Sequence, residues 1–377
     1  MDAAEYAARQ RRAREAAAAR GLRALVSFSR GGGTHDRIAD GLWLVGLATA
    51  QPFVPDLAGH WRATGHVAVV VPVDGPVTAI VESEELRAAA MADEVVVADD
   101  VVVATAKLLP QHSRIGVLGA DVLPFAWWRA LGDGLEPADD LGLKLRRVKS
   151  PAEQALLRAA GRLGAEAMEA ALEAAVAGAT EADVAATFIE HVVRGGGAIY
   201  DVAISSGPNS TSLGPHDRPA GWTARQLATG ELLRIDAYGS VEGYLFDFAR
   251  TVVVGRAASE EQAELMDAMR DAVQAGIATL CPGVQLKGVA RACEDALAAS
   301  AHARRHGVPE HLMGGFWGHG LGLSFDPPWI GPDSTEIVEA GWCLAVERRA
   351  AVPGLGGAQY EDDVLIGPDG AEVLTSG

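Results

Sequence analysis

Acidic residues recur in two places where the local pattern predicts a β-hairpin. In LLRIDAYGSVEGYLFDFARTVVV, two β-prone runs flank the turn-like stretch Gly239 to Gly243. A symmetric loop there sets Asp236 opposite Asp247. In VEAGWCLAVERRAAVPGLGGAQYEDDVLI the turn is Pro353 to Gly357, and the same symmetry sets Glu347 opposite Glu361. Side chains directly opposed on antiparallel strands sit about 4.5 to 5.5 Å apart at Cβ, and like charges there are destabilising. A sheet that opposes carboxylates twice calls for cations. Between the hairpins, GGFWGHGLGLSF holds His319 among glycines that let a ligand approach closely. One imidazole with four carboxylates suits Mn, Fe(II), Co or Zn. The expected chemistry is that of a two-metal site.

The elements that must position these residues are legible around them. After a first helix, short β-rich runs (ALVSF, HVAVVVPV, DGPVTAIVES, EVVVAD, RIGVLGAD) alternate with turns or helical segments, which predicts an α/β domain with a buried sheet over residues 1–145. RGGGTHDR lacks the spacing of a dinucleotide site and reads as a loop. LKLRRVKSPAEQ reads as a linker turning into a helix: Ser150 caps, Pro151 takes the first helical position and Glu153 closes a capping box. Thr180 to Asp183 and Ser259 to Gln262 repeat the start signal, and Gly195 to Gly197 stop the helix between them. Helices with strands between them predict an α+β domain over 146–377.

Composition narrows the function classes. With 377 residues, 49% hydrophobic and 22% charged, the chain has material for two buried cores. A net charge of -18 repels phosphate backbones and anionic bilayers, so nucleic acid and membrane surfaces are excluded as partners. Cys281, Cys293 and Cys343 form no C-x-x-C pair, which indicates neither a disulfide framework nor a thiolate zinc site. The N-terminal stretch has no secretory core, and no run reaches the roughly 20 apolar residues of a membrane span. The expected location is the cytoplasm. Trp127, Trp128 and Trp317 are expected in cores, as is Phe316; His302, His306 and His311 are expected at the surface.

These motifs resemble the creatinase and Xaa-Pro dipeptidase (M24) metallopeptidase family, whose pita-bread fold is shared with methionine aminopeptidases. The family's two aspartates around a Gly-Tyr match DAYGSVEGYLFDFART. Its GHG-x-G histidine matches GHGLGL, and its two glutamates near a Pro-Gly-x-Gly-Gly turn match VERRAAVPGLGGAQYED. RRVKSPAE is similar to the family linker, and SGPNSTSLGPHDRP to the segment with a substrate-side histidine, here His216. The resemblance implies two divalent metals bridged by Asp247 and Glu361, with Asp236 on one and His319 and Glu347 on the other. It also implies Glu347 as proton shuttle, a small-molecule or dipeptide-like substrate, and a homodimer.

Three departures bear on activity. Asp326 replaces the second histidine of the family's H-E-x-P motif, and a carboxylate there repels a developing oxyanion that an imidazole would stabilise. The family's E-P-G-I-Y reads Glu347-Arg348-Arg349-Ala350-Ala351, where one of the two arginines is a candidate anion clamp. The customary arginine two residues before the second glutamate is Gln359. The leading expectation is a metal-dependent hydrolase cutting a C–N bond in a small amide or peptide-like substrate, with Glu347, His216 and Asp326 catalytic. The alternatives are a metal-dependent lyase with Asp326 as base, or a binding protein that keeps the fold without turnover.

Overall fold

The computed structural model describes residues 1–30, 39–48, 56, 65–121, 123–212, 220–309 and 315–376. The loop expected at RGGGTHDR falls almost wholly outside the described residues, as do His216 and His311. Two compact units result, Met1–Arg146 and Arg147–Gly377.

In the first unit the expected sheet forms from strands β1 (Ala24–Arg30), β2 (His66–Pro72), β3 (Thr78–Val81), β4 (Glu94–Val97), β5 (Ile115–Leu118) and β6 (Leu135–Pro137). Their order is β4-β3-β2-β1-β5-β6. β1 pairs antiparallel with β2 and parallel with β5, so the sheet is mixed. Its central strands are buried throughout, which explains why they read as unbroken apolar runs rather than alternating ones. Trp127 packs in this core against Phe28 and His66.

In the second unit the capping signals operate as read. Ser150 and Glu153 form a reciprocal box at the start of helix Pro151–Ala174, Thr180 and Asp183 do so for Glu181–Arg194, and Ser259 and Gln262 for Glu260–Ile277. Each box satisfies two backbone N–H groups that a helix end would otherwise leave without partners. The first two helices cover a three-stranded sheet, β7 (Ala198–Ser206), β8 (Leu232–Val241) and β9 (Tyr244–Val253), around Phe188, Phe246 and Phe248. Helices Glu260–Ile277 and Leu286–Ala299 cover a five-stranded sheet around Trp317 and Trp342. That sheet contains β10 (Gly318–Leu321), β11 (Phe325–Asp326), β12 (Cys343–Val352), β13 (Gly356–Ile366) and β14 (Ala371–Val373), in the order β11-β10-β12-β13-β14. Two antiparallel sheets, each backed by a helix pair, form the pita-bread arrangement.

Side chains, rather than a shared ladder, stitch the two sheets together. Thr251 Oγ1 on β9 donates to the Gln359 carbonyl on β13 at 3.0 Å and accepts from the Gln359 N–H at 2.9 Å. Arg250 Nη1 donates to the Glu361 carbonyl at 2.6 Å, and the Asp247 N–H donates to Asp363 Oδ2 at 2.8 Å. β9 and β13 therefore run side by side. Two of the residues engaged in these bonds, Asp247 and Glu361, are among the expected ligands.

His302 departs from expectation. It is 1% exposed and packs 5.0 Å from His306, because the short helix Ala301–His306 lies against helix Glu260–Ile277 rather than projecting into solvent.

Candidate metal centre

The second hairpin pairs as its turn predicts. β12 and β13 are joined by Pro353, Gly354 and Leu355, and Glu347 stands directly opposite Glu361. The first hairpin does not. Its turn is two residues long, with Val241 opposite Tyr244, so Asp236 faces Ala249 and Asp247 faces Tyr238. Glu242 and Gly243 both adopt positive φ, 51° and 82°, a turn whose twist matches that of the flanking strands. Such turns favour Asn-Gly or Asp-Gly, so Glu-Gly conceals the tight connection in the sequence. A slip of two residues in the expected pairing preserves side-chain parity, and both aspartates stay on one face as diagonal neighbours.

Packing of β9 against β13 brings that face to the glutamates. Asp247, His319 and Glu361 offer ligand atoms that all lie within 4.8 Å of one another. His319 Nε2 is 3.5 Å from Asp247 Oδ2. Its Nδ1 lies 3.1 Å from the Gly320 carbonyl, which can only accept, so Nδ1 carries the proton and Nε2 presents a lone pair. Gly318 makes this placement possible: a Cβ there would run into the Ala345 carbonyl on β12. Asp236 and Glu347 stand outside the tight triad but within reach of it electrically. Asp236, with a side chain 15% exposed, is the most accessible of the five.

The electrostatics show a cluster short of positive charge. Burial raises the Asp247 carboxyl well above its usual range, and Asp236, Asp363 and Glu347 add repulsion. Glu361 is raised well above its own range by burial and then by Asp247, Glu347, Asp236 and Asp363. Burial and Asp236 push Glu347 up to about 7 against the opposing pull of Arg349, Arg234 and Arg348. Asp236 is raised by burial, and Arg234 and a hydrogen bond from Gln359 moderate it. His319 is lowered by burial. Three buried carboxylates and a partly buried fourth with one neutral imidazole are a hard-oxygen set with a borderline nitrogen, and the donors fit divalent Mn, Fe, Co or Zn.

Two neighbours, Asp363 and Arg234, were not legible beforehand. Asp363, 1% exposed, accepts from the Asp247 N–H and lies two residues from Glu361 on the same face. Its only sequence signal is that period of two. Arg234, two residues before Asp236, is 1% exposed and donates to Gln359 Oε1 at 2.6 Å and to the Ser212 carbonyl. Its Nη1 is 3.9 Å from Asp236 Oδ2. Gln359 Nε2 in turn lies 3.4 Å from Glu347 Oε2. A guanidinium thus reaches the cluster from β8, while β13 supplies an amide where the family customarily has arginine.

Asp326 is buried opposite Gly320, and the Ser324 hydroxyl donates to its Oδ1. Among the candidate ligands, its charge acts on His319. Trp317 is a core residue as expected, with Arg348 stacked 4.8 Å over its ring. Phe316 is not a core residue: it is 40% exposed and lies 5.5 Å from Trp329, itself 42% exposed and 5.5 Å from the His319 ring. Alternation about Gly315 and Gly318 turns Trp317 inward and Phe316 out.

None of the described helices is long and apolar enough to cross a membrane. The described fold matches the crystal structure of dipeptidase PepE from Mycobacterium ulcerans with a TM-score of 0.80 and 27% identity, over 100% of this chain and 97% of that one. The prolidase from Pyrococcus horikoshii shares the fold, with a TM-score of 0.79 at 20% identity. In sequence, the chain is 32% identical over 237 residues to the probable dipeptidase PepE of Mycobacterium bovis, covering 62% of this chain and 60% of that protein. It is 29% identical over 245 residues to the uncharacterized peptidase YqhT of Bacillus subtilis, covering 64% and 65%. These matches span less than two thirds of either relative's length. The model of metallopeptidase family M24 matches residues 155–368, more than half of the chain and every strand that carries the carboxylates and His319, and the chain belongs to that family.

Proposed function

We propose that the protein is a two-metal hydrolase that cleaves a C–N bond, amide or peptide-like, in a small substrate, with dipeptides as the first class to test. The observation that carries this reading is the convergence of Asp247, His319 and Glu361, with Asp236 and Glu347 electrically joined to them. In this reading Asp236, Asp247, His319, Glu347 and Glu361 would hold two divalent ions. Such ions, when bound, supply Lewis acidity that polarises a carbonyl oxygen and makes water nucleophilic near neutral pH.

The chain's own groups do the rest. Glu347 Oε2, which Gln359 approaches, is the candidate proton carrier to the leaving nitrogen. Arg234 and Gln359 fix the carboxylates from behind, and Asp363 holds the Asp247 backbone. His216 takes the substrate side in this reading. The lyase reading asks Asp326 to abstract a proton; hydrolysis is favoured because the family to which the chain belongs is one of metallopeptidases. In this reading the working unit is a homodimer, as the family resemblance implies.

Elemental analysis of gently purified protein is expected to give close to two divalent ions per chain, falling in Glu347→Ala, with dipeptides hydrolysed by the loaded enzyme. Absence of metal even after reconstitution would sink the reading in favour of a binding protein. Asp326→His is expected to raise dipeptide turnover about tenfold by replacing a repelling carboxylate with a donor. No gain would place the restriction at the Arg349–Gln359 pair instead.

A further inference from the structure

The two arginines after Glu347 have separate fates. Arg348 is 4% exposed, lies over Trp317 and donates to the Pro309 carbonyl at 3.0 Å, so it belongs to the core behind the sheet. Arg349, by the alternation of β12, shares the face of Glu347 and stands opposite Gln359 in the ladder. It is half-buried, and its Nε is buried without a hydrogen-bond partner. Its place two residues after Glu347 and opposite Gln359, whose Nε2 lies 3.4 Å from Glu347 Oε2, sets it beside the carboxylate cluster, and its charge lowers the carboxyls of Glu347 and Asp236.

Charge counting gives this residue a task. Counting the proposed ligands alone, Asp236, Asp247, Glu347 and Glu361 carry four negative charges when ionised, which two dications would neutralise. Arg234 is engaged by Gln359, Ser205 and the Ser212 carbonyl, beside Asp236. Arg349 then remains as a fork of donors facing a neutralised site, partly sheltered from water, where a carboxylate is the ligand that matches its geometry and charge. A guanidinium kept only as counter-charge to the cluster would be expected to form an ion pair within it, as Arg250 does with Asp362 at 2.7 Å.

We propose that Arg349 is a specificity residue that binds a carboxylate of the substrate, so that the preferred substrates are anionic. This rests on the two-metal reading for its charge balance. The carboxylate can be the C-terminal group of a dipeptide or an acidic side chain, and the test separates them. With metal-loaded protein, binding of N-acetylglycine and of its neutral amide is measured by calorimetry in the wild type, Arg349→Met and Arg349→Lys, with metal content determined for each. The acid is expected to bind the wild type about 10- to 100-fold tighter than the amide, Arg349→Met to lose that difference, and Arg349→Lys to keep part of it, all with unchanged metal. Loss of metal in Arg349→Met, or an acid-to-amide ratio the same as in the wild type, would make the arginine a structural counter-charge and overturn the proposal.

Turnover of Ala-Ala, Ala-Ala amide and Ala-Glu amide then assigns the source. Preference for the first points to the C-terminal carboxylate, and preference for the third over the second to an acidic side chain. If no peptide is hydrolysed while N-acetylglycine still discriminates between wild type and Arg349→Met, the hydrolase reading fails and the anion site stands.

Discussion

Asp247→Asn is expected to empty the metal centre: bound metal falls from about two ions per chain to below one, and turnover falls by at least about 1,000-fold. Loss of a group that merely supports a metal ligand already costs 10- to 100-fold in metal affinity or activity, and Asp247 is itself proposed as a ligand. The variant should fold. The bond to Asp363 is made by the Asp247 backbone N–H, which the substitution leaves in place, and the neutral amide relieves the repulsion from Asp236, Asp363 and Glu347. Elemental analysis, steady-state kinetics and a thermal melt of the chelated protein test the three parts. The melt of chelated Asp247→Asn should lie at or above that of chelated wild type at pH 7.5. Retention of two equivalents of metal would remove Asp247 from the ligand set.

Chelation is expected to reverse the sign of the protein's pH dependence. Without metal, the carboxyls of Asp247, Glu361 and Glu347 titrate above their unfolded values, with Glu347 at about 7. The folded state then binds more protons than the unfolded one between about pH 4.5 and 7, so stability is greatest below that window and is lost as pH rises through it. The Glu347 part of that loss is on the order of a few kcal/mol, tempered because the three groups titrate together. In the loaded protein the ligands must be deprotonated to bind, so stability should rise with pH over the same range. Denaturant titrations at pH 5 and pH 7.5, with and without chelator, measure both slopes. Parallel slopes would mean that no ion is held by these carboxylates.

Side-chain orientation and neighbouring charge decide more of this site than composition does, and the two hairpins show why. Glu347 and Glu361 could be paired from the sequence because Pro353 and the glycines beside it constrain a short loop, and a ladder propagates that constraint strand by strand. The same inference at Asp236 and Asp247 went wrong by two residues, since the positive φ of Glu242 is a cost the surrounding structure imposes rather than a preference of glutamate. Parity saved the functional conclusion, because a two-residue error keeps both aspartates on one face.

What the sequence determined by itself is local: the helix starts at Ser150, Thr180 and Ser259, the apolar runs of the first sheet, the five candidate ligand residues in order, and the Glu347–Glu361 opposition. Capping, periodicity and tight turns act over a few residues, so their signals stay in contiguous text. What only the tertiary structure decided is long-range: that β9 lies against β13 and gathers Asp247, His319 and Glu361, that Asp363 and Arg234 join them, and that Arg349 rather than Arg348 shares their face. Those relations arise from packing two sheets against each other. Residues more than a hundred positions apart meet there through side-chain bonds that no local periodicity encodes.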